Sequence, residues 1–272
     1  MKILFIGDII GKPGRRAVKE ALSKLRAEKK WDFCIANGEN AASGLGITPP
    51  VVEELLGYGV NAITSGNHIF KKKEIMEYLN NTEYLLRPAN YPPLAPGRGE
   101  GVFRTSSGES IAILHLLGRV FMDQVDCPFQ TAEKVIDTLI KKAKVIVVDF
   151  HAEATSEKQA MGWFLDGRVS AVIGTHTHVQ TADERILTKG TAYISDAGMT
   201  GPIDSVIGVD KDIVINKFLT RVPQKFIVAN GRLELQGVLL DVDSQSGMSR
   251  SIERIKVPLE EPCMDDTENR CN

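Results

Sequence analysis

Five short polar stretches carry the residues able to do chemistry: Asp8, Glu39-Asn40, Asn67-His68, His151 and His176-Thr177-His178. Their carboxylates, amides and imidazoles offer oxygen and nitrogen donors. With no thiolate among them, they suit manganese, iron or zinc rather than a cysteine-based structural zinc site. If the backbone stays extended through 176–178, the two rings project to one side, because strand side chains repeat every two residues. An H-x-H tripeptide alone is a weak signal, and two solvated loop histidines would explain it as well. What lifts it is company: four of the five histidines stand where a short apolar run stops.

A ligand supply this large points to two ions rather than one. Two cations roughly 3.5–4 Å apart clamp a phosphoryl oxygen and lower the pKa of a bridging water enough to make hydroxide at neutral pH. Holding them that close needs a carboxylate that reaches both, and Glu39 is the candidate. Asn67 would add an oxygen without adding negative charge. His68 beside it could hydrogen-bond the phosphoryl oxygen or protonate the leaving alkoxide. Phosphoester hydrolysis is the reaction that fits best.

The elements that must position these residues are legible as apolar runs. Ile3 to Ile6, Phe33 to Ala36, Ala62 to Thr64, Val145 to Val148 and Val172 to Ile173 read as strands covered on both faces. Helical spacing follows in Ala17, Val18, Ala21, Leu22 and Leu25, and again after Thr48-Pro49-Pro50, an expected N-cap with prolines in the first turn. Further helices are expected over Lys71 to Leu79 and Thr131 to Lys144, and Ser156-x-x-Gln159 resembles a capping box. Gly101 to Thr105 and Ser110 to Leu116 read as two strands around a Ser107-Gly108 turn. His115, inside the second of them, reads as a satisfied core histidine and is left out of the site. The segment Gly118 to Gln130 lacks periodicity and is expected to lie near the site mouth. Phe226 to Ala229, the Asn230-Gly231 turn and Leu233 to Leu240 read as a β-hairpin, with a further strand from Ser249 to Val257.

Ligands of open α/β sheets bind beyond the carboxyl ends of the strands, which is where the polar stretches fall. Parallel βα units followed by an antiparallel section imply a layered α/β/β/α sandwich. One domain is expected over residues 1–257, with an acidic, apolar-poor tail from Pro258 to Asn272 expected to be frayed. At 272 residues and 43% hydrophobic content the chain can bury a sizeable core. A net charge of −2 and a pI near 6.2 give no footprint for nonspecific binding to nucleic acid or an anionic membrane. Gly7, Gly11 and Gly14 match neither a dinucleotide fingerprint nor a P-loop. Four cysteines without C-x-x-C spacing read as reduced thiols, and no stretch reads as a signal peptide or membrane span, so a soluble cytoplasmic protein is expected.

The stretches Lys2-Ile-Leu-Phe-Ile-Gly-Asp8, Asn37-Gly-Glu-Asn40, Gly66-Asn-His68, Asp149-Phe-His-Ala-Glu-Ala-Thr-Ser-Glu157, Gly174-Thr-His-Thr-His-Val-Gln-Thr-Ala-Asp183 and Gly198-Met-Thr-Gly-Pro202 resemble the calcineurin-like metallophosphoesterase superfamily. More closely, they resemble its YmdB-like branch. The resemblance implies a four-layer metallophosphoesterase-like sandwich and a di-metal phosphodiesterase acting on 2′,3′- or 3′,5′-cyclic nucleotides. Iron or manganese would occupy the site, with zinc as a further option. Carried over residue by residue, Asp8, Glu39, Asn40 and His178 would surround one ion and Glu39, Asn67, His151 and His176 the other, with His68 as proton donor. Two departures from the wider superfamily, Ile10 where Asp-x-His has its histidine and Glu39 where the bridging aspartate stands, are shared with that branch.

Two other readings stay open. A phosphomonoesterase or nucleotidase would use the same ions, and a regulatory protein would bind metal and nucleotide with little turnover. The expected partner is a small cyclic nucleotide, and self-association into a homo-oligomer is not decided by the sequence.

Overall fold

Each short apolar run becomes a strand, and successive side chains of each strand enter different cores. The computed structural model describes residues 1–259. In chain order it contains β1 (Lys2–Ile6), β2 (Asp8–Ile9), α1 (Gly11–Glu28), β3 (Phe33–Asn37), α2 (Pro49–Gly57), β4 (Ala62–Thr64), a 3-10 turn (Gly66–Lys71), α3 (Ile75–Asn81), β5 (Leu85–Leu86), β6 (Glu100–Arg104) and β7 (Ser110–Leu117). There follow α4 (Pro128–Leu139), β8 (Val145–His151), α5 (Thr155–Phe164), β9 (Ala171–Thr175), β10 (Arg185–Ile186), β11 (Ala192–Ile194), β12 (Met199–Pro202), α6 (Lys211–Thr220), β13 (Leu233–Val242) and β14 (Ser249–Leu259).

One sheet runs β2-β12-β13-β1-β3-β4-β5, with β14 also paired to β13, and the second runs β10-β11-β9-β8-β7-β6. Ile3, Phe5, Phe33 and Ile35 of the first sheet share a core with Ile111, Ile113, Val145, Val147 and Ile173 of the second. The alternate residues Leu4, Ile6, Cys34 and Ala36 pack with α1 and α2. On the far side Leu114, Leu116, Val148 and Phe150 pack with Ile136 of α4 and Met161 of α5. Period-two alternation in strands covered on both faces thus produces the four α/β/β/α layers.

Several expected elements shift. The charged helix expected from Lys71 begins at Ile75, because the residues before it are drawn into the 3-10 turn. The helix expected from Thr131 starts at Pro128, whose fixed φ suits the first helical position, and ends at Leu139. Thr48 does precede α2, but its hydroxyl caps no backbone N–H. Ser156 caps nothing either: α5 begins at Thr155, and buried Glu157 in its first turn accepts the backbone N–H groups of Arg119 and Val120. That bond and Gly118 N–H to the His151 carbonyl anchor the aperiodic segment beside the end of β8. The hairpin is absent, since β13 hydrogen-bonds β1, β12 and β14. Val228 instead bridges Val209, and Asn230-Gly231 only turns the chain. β14 reaches Leu259, so Pro258 and Leu259, assigned above to the tail, pair with Glu234 and Leu233. The rest of that tail lies outside the described residues.

Candidate metal centre

Asp8 follows Gly7, where the chain leaves β13 and pairs with β12. A Cβ at Gly7 would collide with the Gly198 carbonyl, so only glycine allows that approach. Glu39 and Asn40 follow β3, and the Asn37 side-chain oxygen accepts the Glu39 N–H at 3.0 Å. The 3-10 turn presents Asn67 and His68, starting at Gly66 with φ +63°. His151 ends β8, and His176 and His178 follow β9.

The extended backbone expected through 176–178 is not what forms. His176 has φ +100° and His178 φ +65°, so left-handed turns rather than strand alternation aim the two rings. Asp196 holds this geometry: its Oδ2 accepts the Thr177 N–H at 3.0 Å, the Thr177 hydroxyl at 2.7 Å and the Lys158 ammonium at 2.8 Å. Lys158 and Asp196 are both almost fully buried.

The candidate ligand atoms gather in two groups, Glu39 with His151 and His176, and Asp8 with Glu39 and His178, each within 4.8 Å of one another. Glu39 belongs to both. Asn67 Oδ1 lies 3.2 Å from His151 Nε2, beside the first group. Asn40 lies beside the second, but its Nδ2 faces Glu39 Oε1 at 2.8 Å and His178 Nε2 at 3.2 Å, while its Oδ1 faces His68 Nδ1 at 2.8 Å. To offer oxygen to an ion, that amide must turn over. His115 stays outside both groups: its buried ring accepts the Gly66 N–H at 2.8 Å and thereby holds the turn that carries Asn67 and His68.

The donor set fits a pair of cations. His151 Nδ1 is 2.9 Å from the Thr175 hydroxyl, which donates its single proton to Asp149 Oδ1 at 2.7 Å. Nδ1 must then be the donor, which leaves the Nε2 lone pair facing inward. His178 Nδ1–H donates to the Ile207 carbonyl at 2.9 Å, and His176 Nε2 faces Glu153 Oε2 at 3.2 Å. All three rings thus have an outer nitrogen tied down; the inner nitrogens of His151 and His178 face Glu39, and that of His176 faces His151 Nε2 at 3.0 Å. Two of the carboxylate oxygens they meet, Asp8 Oδ1 and Glu39 Oε2, are buried without a well-directed donor.

Proton affinities agree. Burial pushes Asp8 up to about 7, only partly offset by His178 and His151. Burial would raise Glu39 too, but His151, His178 and His68 together outweigh it and hold the carboxyl well below its usual range. Burial drives His176 down to about 3 and lowers His68. His178 rises to about 9 and His151 also rises, because Glu39 and Asp8 outweigh the burial that would lower them. Without a cation, protons are drawn between His151 Nε2 and Glu39 Oε2, 2.9 Å apart. Cation binding displaces such protons.

Asn37, Asp149, Glu153, Lys158, Thr175, Asp196 and Ile207 support the site without having a role assigned from the sequence. Asn37, Asp149, Thr175 and Asp196 share the signal that marked the ligands, a polar residue at a strand end. Ile207 had no such signal.

The family model for YmdB-like proteins matches residues 4–255. A Bacillus subtilis (strain 168) protein, the 2′,3′-cyclic-nucleotide 2′-phosphodiesterase, is 49% identical over 257 residues, covering 94% of this chain and 97% of that protein. A crystal structure of a hypothetical protein from Thermus thermophilus superposes with TM-score 0.89 at 41% identity, covering 95% of this chain and 99% of the other. The crystal structure of a novel phosphatase from Mycoplasma pneumoniae gives TM-score 0.89 at 36% identity, covering 96% and 95%. With its layers, its ligand cluster and these whole-length matches in hand, the chain belongs to the YmdB-like family.

Proposed function

We propose that this phosphoric ester hydrolase is a two-metal phosphodiesterase that opens 2′,3′-cyclic nucleotides. The observation that carries the reading is the pair of ligand groups sharing Glu39, with three histidine tautomers fixed from outside. The relative from Bacillus subtilis, named for this reaction, supports the substrate. Asp8, Glu39, Asn40 and His178 would hold one ion, and Glu39, Asn67, His151 and His176 the other, as iron or manganese. Bound there, the ions would polarise the phosphoryl oxygens and acidify an attacking water.

The chain's own groups do the rest. With the Asn40 amide turned over to offer its oxygen to an ion, its NH2 group would donate to His68 Nδ1, 2.8 Å away, and the His68 ring proton would sit on Nε2, available to the leaving oxygen. Burial lowers its proton affinity, and an anionic phosphodiester alongside would raise it again. Opening the ring at the 2′ position breaks the P–O2′ bond, and His68 delivers the proton to O2′, leaving a 3′-phosphate.

The test compares rates on a 2′,3′-cyclic nucleotide, a 3′,5′-cyclic nucleotide and the matching monophosphate, for wild type and Glu39→Gln. The proposal expects the 2′,3′ compound to react fastest and Glu39→Gln to be nearly inactive while folded. A faster monophosphate reaction would make the protein a nucleotidase. Tight nucleotide binding without turnover would make it a regulatory binding protein.

A further inference from the structure

Three hydrogen-bond chains lead from the metal centre into the sandwich, and all three end on one residue. Asp149 lies on β8 two positions before His151 and is fully buried. On the same face of that strand Val145 and Val147 pack in the core between the sheets, so a carboxylate stands where the run would otherwise continue apolar. Its Oδ1 accepts the Thr175 hydroxyl at 2.7 Å, and that oxygen in turn accepts His151 Nδ1–H at 2.9 Å. Its Oδ2 accepts the Asn37 NH2 at 3.0 Å, and the oxygen of the same amide accepts the Glu39 N–H at 3.0 Å. Its main-chain carbonyl lies 3.2 Å from His115 Nδ1, with Oδ2 behind it at 3.5 Å. His115 Nε2 accepts the Gly66 N–H at 2.8 Å, where the turn that carries Asn67 and His68 begins.

Each chain has a direction, and Asp149 sets it. A carboxylate accepts on both oxygens and donates nothing. The Thr175 hydroxyl must therefore spend its one proton on Oδ1, which leaves its lone pairs for His151. The Asn37 amide must turn its NH2 to Oδ2, which leaves its oxygen for Glu39. His115 meets only acceptors at Nδ1, so its proton sits there and Nε2 is bare for Gly66. Asparagine at 149 would keep the shape and lose the polarity. Its NH2 turned to Thr175 would let the hydroxyl donate to His151 Nδ1, driving the ring proton to the Nε2 that faces Glu39. Turned to Asn37, it would set two NH2 groups against each other and rotate that amide away from the Glu39 N–H.

We propose that Asp149 is a positioning residue of the metal centre, whose oxygens fix the direction of the bonds that orient His151, Glu39 and the turn over 66–68. The inference rests on the metal-centre reading above and adds what holds its two groups in register.

The test measures manganese affinity by competition with a chelator for full-length wild type, D149N, T175V and the double variant, with circular dichroism to check folding. D149N and T175V should each bind about 10–100-fold more weakly. The double variant should bind no more weakly than D149N, because both changes reach His151 through one hydroxyl. Losses that multiply, as two unrelated packing defects would give, overturn the proposal, and so does wild-type affinity in a folded D149N. Should D149N not fold, nitrogen-15 NMR of the metal-free wild type reads the same polarity. His115 should carry its proton on Nδ1, and a proton on Nε2 overturns the proposal. Should wild type bind no manganese, the metal-centre reading fails while the network is still tested: the same four proteins, unfolded in urea without metal, should lose stability non-additively, and additive losses overturn it.

Discussion

Replacing Gly66 by alanine adds one methyl group at the point where the turn touches both ligand groups. The new Cβ would stand 2.6 Å from His151 Nε2 and closer still to Glu39 Oε2, whereas real Cβ atoms essentially never come within 3.0 Å. His151 must therefore retreat by at least 0.4 Å and Glu39 by more. Neither can do so freely: His151 is tied to Thr175, and the Glu39 backbone to Asn37. Alanine at φ +63° adds a backbone cost of about 1–2 kcal/mol. For a domain of this size that lowers Tm by roughly 2–8 °C, leaving the protein folded. A displacement approaching 1 Å at reacting groups costs about 10²-fold in rate. G66A should therefore show near-native circular dichroism, a modest fall in Tm, about a hundredfold loss of kcat/KM on a 2′,3′-cyclic nucleotide, and reduced metal content by elemental analysis. A folded G66A with wild-type turnover and full metal content would refute the shared-corner geometry.

Thr175→Val removes the hydroxyl that fixes the His151 tautomer and should weaken metal affinity about 10–100-fold, read by competition with a chelator. Asp196→Asn leaves Lys158 without its buried charge partner and loosens the 176–178 turn; a loss of stability of about 3–5 kcal/mol by urea denaturation is expected, together with loss of metal. Asp183 gives a pH signature away from the ligands. Burial would raise its pKa, but bonds from Ser195 and Thr181 outweigh that and lower it below 3.8. Its contribution to stability is thus present above the unfolded pKa and lost as pH falls through the folded one. The stability gap between wild type and Asp183→Asn should be full at neutral pH and close below pH 4, by denaturation of the metal-free proteins.

The strands were legible because each is a short apolar run, and the candidate ligand positions because each run stops in a polar residue. Asp8, Glu39, Asn67, His151, His176 and His178 could all be named from that pattern, and they do come together. How they come together could not be read. The two histidines of the H-x-H are aimed by left-handed backbone that depends on Asp196, a residue 18 positions beyond His178. The Asn40 amide is claimed by His68 as much as by the ligand cluster. Asn230-Gly231 looked like a hairpin turn because local sequence favours one, but β13 finds three partners elsewhere in the sheet. Long-range pairing and side-chain bonds between distant segments leave no periodic trace in the sequence.

Titration of metal-free wild-type protein with manganese, read as equivalents bound per chain alongside the rate of 2′,3′-cyclic nucleotide opening, tests most directly whether Glu39 joins two sites. Two equivalents, with activity appearing as the second is filled, is the expected result. Saturation at one equivalent with full activity, or no binding at all, would contradict the account.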